Sequence, residues 1–348
     1  MPLGLYIGNV GQGQSVTLIT GSGVTTQAVI VDLGGSGIRL AMWLRRLDVR
    51  SIATIVLSHN HKDHIRGLAA VVEEFKGRIG KVCYVIDQPT KDIPFWTPLQ
   101  EWLRDKKIRA AAKVCPDDTA EPTSGKALID DPFGGFQLYC VYPTEIELAA
   151  VAQGADILGT SLETHDPNAA SAVLRLARSS SPDSTIALLG GDLTFRGWKR
   201  LTERGCDLKA EVVVVPHHGS GTGTTAGFGP DELAKASSPK HALFSVGTNN
   251  TYDHPAPEMV RVFRQVGSLV QCTQITRQCH SDPTRIPGKA VLTPDLGEPK
   301  LTASGIPCAG SIVVQVPDTG LVTILRVTDH QGAVDRLPRT PVCPLCRT

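Results

Sequence analysis

Three histidines and an aspartate fall within six positions of one short stretch, Ser58-His59-Asn60-His61-Lys62-Asp63-His64. Imidazole nitrogen combined with carboxylate oxygen suits zinc, manganese or iron, so the chemistry on offer is metal binding. His59 and His61, two apart in extended chain, point the same way and can hold one ion. Asp63 and His64 point differently and can hold a second ion a few ångströms away. Chance clustering of histidines in a polar loop accounts poorly for four ligand-type residues at this spacing.

The elements that must position these groups are legible on either side. Ile52-Ala53-Thr54-Ile55-Val56-Leu57 is short, apolar and rich in β-branched residues, which predicts a buried strand. Ile65, Leu68, Val72 and Phe75 have the spacing of an amphipathic helix ended by Gly77. Further polar groups flank other apolar runs: Asn168 lies before Ala172–Leu176, Asp192 after Ile186–Leu189, His217 and His218 after Val212–Val215, and His254 beyond Ala242–Val246. Placement after strand ends gathers such groups at one sheet edge, where ligand sites form in α/β folds. Residues 5–32 read as a β-meander, with Gly11-Gln12-Gly13 a turn within it. Asp32 ends the third strand, where it either orients a metal-binding histidine or caps a turn. The loop from Gly219 and Ser220 to Thr225 can present N–H groups and hydroxyls to a phosphate, or be a solvated loop.

The 348 residues are long for one domain yet within reach of a layered α/β unit. The formal net charge of +1 implies no polyelectrolyte-binding surface by itself, although Arg196, Lys199, Arg200, Arg204 and Lys209 could form one local basic face. Neither a signal peptide nor a membrane-spanning run is evident, which predicts a cytoplasmic protein without membrane contact. Nine cysteines then read as thiols and metal ligands rather than disulfides. Cys343-Pro344-Leu345-Cys346 has zinc-knuckle spacing, and with Cys279 and Cys308 it could hold a structural zinc; free thiols are the alternative.

The central stretch matches the HxHxDH signature of the metallo-β-lactamase superfamily. The ordered segments VGQGQS, VDLGG, LSHNHKDHIRGL, NAASAVLRL, LLGGDL, VPHHGS and NNTYDHPAPE resemble, more narrowly, the hydrolase domain of ComEC-type competence proteins and their soluble relatives. The resemblance implies a four-layer αββα sandwich over residues 1–280; it says nothing of residues 281–348, whose own cysteines and apolar runs read as a small Cys-rich β extension packed on that domain. It implies His59 and His61 at the first metal, Asp63, His64 and His217 at the second, and Asp192 bridging both. The third ligand of the first metal stays open between Asn168, His165 and water.

Two divalent ions, zinc or manganese, would supply a hydroxide between them for attack on an ester. Asp63 and Asp192 would serve catalysis as well as metal binding, and His218 or His254 could protonate the leaving oxygen or bind phosphate, as could Ser220 and Asn168. The expected activity is that of a phosphodiesterase or nuclease acting on single- or double-stranded DNA or on RNA. The alternatives are a hydrolase of a small cyclic or signalling nucleotide, or of another ester or lactone, and a non-catalytic partner protein. The family resemblance suggests a bacterial DNA-processing or phage-defence setting, with a protein partner left open.

Overall fold

The computed structural model describes residues 2–85, 96–115, 125–129, 133–152, 167–280, 282–283, 301–302, 304–326, and residues 330, 332 and 334. The chain opens with antiparallel strands β1 (Leu3–Ile7), β2 (Val16–Thr20) and β3 (Gln27–Val31). Helix α1 (Gly37–Arg46) crosses to β4 (Ser51–Leu57), which runs parallel to β3. Helices α2 (Lys62–Ile65) and α3 (Leu68–Glu74) lead to β5 (Ile79–Tyr84), and α4 (Trp96–Arg104) leads to β6 (Ile108–Lys113), both extending the sheet in parallel.

The second sheet starts with β7 (Lys126–Ala127) and β8 (Phe136–Tyr142), followed by α5 (Glu145–Ala152), β9 (Val173–Arg178) and β10 (Ser181–Leu189). Helix α6 (Phe195–Glu203), β11 (Val212–Val214), α7 (Pro230–Ser237), β12 (His241–Phe244), α8 (Pro257–Gln265) and β13 (Leu269–Cys272) complete it, with β10 to β13 parallel. Finally β14 (Ile312–Val316) pairs antiparallel with β1, and β15 (Thr323–Ile324) with β14, returning the chain to the first sheet.

Period-two alternation along the strands explains the layering. Val29 and Val31 join Leu5, Leu138 and Leu174 in a core between the sheets. Their neighbours Ala28 and Ile30 instead meet Leu40, Leu44 and Val71 of the covering helices. Val212 and Val214 likewise face inward, whereas Val213 packs with Trp198, Leu233 and Phe263 of α6 to α8. Helices therefore cover both outer faces, giving four layers αββα. Trp198 is fully buried, and its truncation to alanine is expected to cost about 3–5 kcal/mol.

Some elements differ from the expected ones. The helix expected from Ile65 to Phe75 is two helices, broken where the Gly67 N–H donates to Leu33 O rather than continuing a helical ladder. Strand β10 begins at Ser181, before its apolar run, because Ser181 pairs with Arg178 and Thr185 with Ala177 of β9 across a register shift, while residues 181–184 stay exposed. Near the C-terminus, the run that begins at Leu321 forms a strand only at Thr323–Ile324 among the described residues. No helix among the described residues is long and apolar enough to cross a membrane.

Candidate metal centre

The turn from β4 into α2 is shaped by backbone packing before any side chain matters. Gly13, at φ +128°, and Gly34 lie so close to the Asp63 carbonyl that a Cβ on either would fall about 2 Å from its oxygen (2.2 and 1.8 Å). The glycine turn after β1 is therefore a backbone wedge under the metal-ligand turn. His61 sits at the N-terminal cap of α2, so His59 and His61 stay on extended chain while Asp63 and His64 enter the first helical turn.

Two overlapping groups of ligand atoms result, His59–His64–Asp192 and Asp63–His64–His218, each with its atoms within 4.8 Å of one another. His59 Nε2 lies 3.1 Å from His61 Nδ1 and 3.7 Å from Asp192 Oδ2. His64 Nε2 lies 3.2 Å from Asp192 Oδ1, and His218 Nε2 lies 3.4 Å from Asp63 Oδ2 and 3.6 Å from Asp192 Oδ2. Asp192 thus presents its two oxygens to different imidazoles.

Partners beneath the cluster fix which nitrogen faces it. His64 Nδ1 is 2.8 Å from Asp32 Oδ2, an acceptor, so Nδ1 carries the hydrogen and Nε2 faces Asp192. His218 repeats the arrangement, with Nδ1 donating to Ser245 O at 2.9 Å. Asp32 also accepts from Ser58 N and Ser58 Oγ, each at 2.8 Å. Ser171 Oγ accepts from Asp192 N at 2.9 Å and lies 3.3 Å from His59 Nδ1. Ser58, Ser171 and Ser245 were missed from sequence, since serine at a strand end carries no chemical signature; only their adjacency to Asp32, Asp192 and His218 in space reveals them.

The electrostatics match a site built for cations. Burial disfavours charge on Asp192, yet His64 and His218 hold its carboxyl well below the usual range. Asp63 is likewise held low against burial by its approach to His218 and by the His64 charge. Burial lowers His64, but Asp192 and Asp32 outweigh it and raise that imidazole well above the ordinary value. Burial, with His64 alongside, pushes His59 down. Metal binding passes a separate test. His64 Nε2, Asp192 Oδ1 and His218 Nε2 are buried and complete no hydrogen bond among the described residues. Each such atom costs about 1–3 kcal/mol unless something satisfies it. A divalent ion would satisfy all three.

The adjacent histidines are arranged differently from the expectation. His217, expected as a ligand, is half-buried with its ring 5.7 Å from that of His254, while His218, expected toward substrate, enters the cluster. Both residues take left-handed backbone (φ 50° and 53°), which turns the chain so that the second histidine points inward. His254 is buried beside them and pushed down to about 4 by burial and by His218 and His217. Asn168 lies in the short 3-10 turn Pro167–Ala170 that precedes Ser171. Ser220 is buried, its Oγ 2.8 Å from Thr222 Oγ1. His165, Cys343 and Cys346 lie outside the described residues. Cys279 and Cys308 are buried under the helices of the second sheet, with Cys308 Sγ 3.2 Å from His330 Nε2.

Residues 10–109 match the family model of the Metallo-beta-lactamase superfamily. The chain carries a metallo-β-lactamase superfamily domain. Its buried His/Asp groups could hold metal ions. The chain is similar to the competence protein ComA of Neisseria gonorrhoeae, 35% identical over 112 residues, which are 32% of this chain and 15% of that one. It is also similar to the ComE operon protein 3 of Bacillus subtilis (strain 168), 33% identical over 78 residues, 22% of this chain and 9% of that one. The chain therefore spans a small part of either relative. Among solved structures, the metallo-β-lactamase fold protein YhfI from Bacillus subtilis aligns over 78% of this chain and 96% of its own, at 13% identity and a TM-score of 0.46.

Proposed function

We propose that this chain is a two-metal phosphodiesterase that hydrolyses nucleic acid. The observation that carries the reading is the placement of Asp192, whose Oδ1 faces His64 and whose Oδ2 faces His59 and His218. A carboxylate within 3.7 Å of His59 and also of His64 and His218 is suited to lie between two ions, one held by His59 and His61 and the other by Asp63, His64 and His218. Asn168 remains the candidate third ligand at the first. Two bound divalent ions, zinc or manganese, supply Lewis-acid stabilisation of phosphate charge and lower the pKa of water.

The protein's own groups do the rest. Asp32, Ser58, Ser171 and Ser245 O hold the ligand side chains in their tautomers and orientations, so little reorganisation accompanies metal loading. His217, outside both ligand groups and with its ring 5.7 Å from that of His254, takes the substrate side with His254 and is our candidate for meeting the leaving oxygen. This reverses the roles the sequence suggested for His217 and His218. Turnover on single-stranded DNA, duplex DNA, RNA and cyclic nucleotides with Mn²⁺ or Zn²⁺ tests the function. Cleavage of a lactone or thioester with no phosphodiester cleaved would overturn it.

A second reading, a small nucleotide as substrate, is favoured by the fate of the basic face. Lys199 pairs with Glu203 at 2.6 Å, and Arg204 and Arg200 face Glu147 at 3.1 and 3.6 Å, so those charges are engaged within the protein. The same substrate panel separates the two readings. For the C-terminal extension we retain a structural zinc drawing on Cys279 and Cys308, supported by the approach of His330 to Cys308. Unchanged zinc content in Cys308→Ser would remove it.

A further inference from the structure

An exposed aromatic ring stands beside the cluster. Tyr252 is 68% exposed, and its ring stacks on the imidazole of His254, with centroids 5.7 Å apart and planes 18° from parallel. The His254 ring lies in turn 5.7 Å from His217 and 6.4 Å from His218. A row of rings thus leads from solvent to a residue of the candidate metal centre.

Exposed apolar side chains scattered singly need no explanation. Tyr252 differs because its loop is braced from within. Asn250, buried in the loop, donates from Nδ2 to Gly247 O and His254 O and accepts from His254 N at Oδ1. Gln278 Nε2 donates to Asp253 O from outside the loop. A ring held this way loses little conformational freedom when something packs on it. His254 lies in an offset stack against the phenol ring, and the 68% exposure of Tyr252 leaves most of that side chain open to solvent.

We propose that Tyr252 is a stacking platform for an unpaired nucleobase next to the scissile phosphate. The substrate would then be a nucleotide ester or a single-stranded segment of nucleic acid rather than an intact duplex. The proposal rests on the phosphodiesterase reading and narrows it. A base inside a duplex has both faces covered by its neighbours, whereas a single-stranded base can lie on an aromatic ring, whatever its identity. Stacking also supplies affinity where net charge supplies little: the chain carries +1, and several basic residues of α6 are engaged internally.

The test compares two esters with the same leaving group, thymidine 5′-(p-nitrophenyl) phosphate and methyl p-nitrophenyl phosphate, on metal-loaded protein. Tyr252→Ala should lower kcat/KM for the thymidine ester about tenfold relative to the methyl ester, through KM, and Tyr252→Phe and Tyr252→Trp should restore the ratio. An unchanged ratio in Tyr252→Ala overturns the proposal, as does failure of Tyr252→Phe to restore it. Binding of the oligonucleotide (dT)8, followed by calorimetry, should weaken by a similar factor in Tyr252→Ala, and a hairpin duplex should compete poorly. Wild-type protein inert toward both esters would refute the phosphodiesterase reading, and (dT)8 binding then decides the stacking separately. Equal binding by wild type and Tyr252→Ala, or equal competition by duplex, overturns it.

Discussion

Two buried carboxylates among the elements of the second sheet sit in opposite circumstances. Glu147, in α5, accepts from Thr144 N at 2.8 Å, Thr144 Oγ1 at 3.1 Å and Arg204 at 3.1 and 3.2 Å. Asp192, after β10, is as deeply buried, yet its Oδ1 completes no hydrogen bond among the described residues and its neighbours are three imidazoles. A buried charge with its partners in place joins two elements, here α5 to α6. A buried charge among lone-pair donors awaits a cation. The contrast separates a structural ion pair from a binding site, although both are acidic residues beside basic ones.

The largest expected effect breaks the second of these. Asp192→Asn keeps the shape and removes the charge that faces both imidazole groups. Loss of several kcal/mol of transition-state stabilisation should lower phosphodiester turnover by about 10³-fold, and bound metal should fall with it. Full metal content with normal turnover in this variant would end the bridging role. Glu147→Ala should do the reverse. Stranding Arg204 and the Thr144 groups should cost about 3–5 kcal/mol in denaturant unfolding, while folded protein still takes up metal. Unchanged stability with lost metal would collapse the distinction.

Much of this was legible in the sequence, and the exceptions have physical causes. Runs of apolar and aromatic residues coincide with β8, β13 and β14 (Phe136–Tyr142, Leu269–Cys272, Ile312–Val316), because these strands are buried along most of their length. Strand β6 was illegible: Ile108–Lys113 reads Ile-Arg-Ala-Ala-Ala-Lys, with an exposed or half-buried pattern beyond its first residue. Within the candidate site, ligand-type residues after strand ends could be located from spacing alone. Which of His217 and His218 faces the cluster could not, since alternation assumes extended chain and both residues are left-handed. The hydroxyl partners Ser58 and Ser171 depend on contacts across 26 and 112 residues, to Asp32 and His59, which no local pattern encodes.

Metal linkage sharpens the comparison at smaller scale. An ion that binds the folded state stabilises it by about 2.7 kcal/mol at a hundredfold excess over Kd. Zinc or manganese should therefore raise the melting temperature of wild type and of Glu147→Ala by similar free energies, with little effect on Asp192→Asn. His217→Ala should retain the rise and His218→Ala should lose most of it. A retained rise in His218→Ala together with its loss in His217→Ala would restore the roles read from sequence.

The smallest effect is expected where a carboxylate has the same number of cationic partners without the burial. Glu73 accepts from Lys107 at 2.8 Å and Lys76 at 2.9 Å, much as Glu147 faces two arginines, but its side chain is 55% exposed. The hydrogen bonds from Lys107 and then Lys76 pull its carboxyl from 4.5 down to about 2. A depressed carboxyl stabilises the fold fully above its unfolded value and loses that contribution as pH falls toward the folded one. The melting-temperature gap between wild type and Glu73→Gln should therefore be small at neutral pH, narrow between about pH 4.5 and 2, and shrink with added salt, because solvent and ions screen an exposed pair. Should Glu73→Gln destabilise as much as Glu147→Ala, and do so at high salt, charge count rather than burial would govern both sites. The contrast between Glu147 and Asp192 would then lose its basis in desolvation.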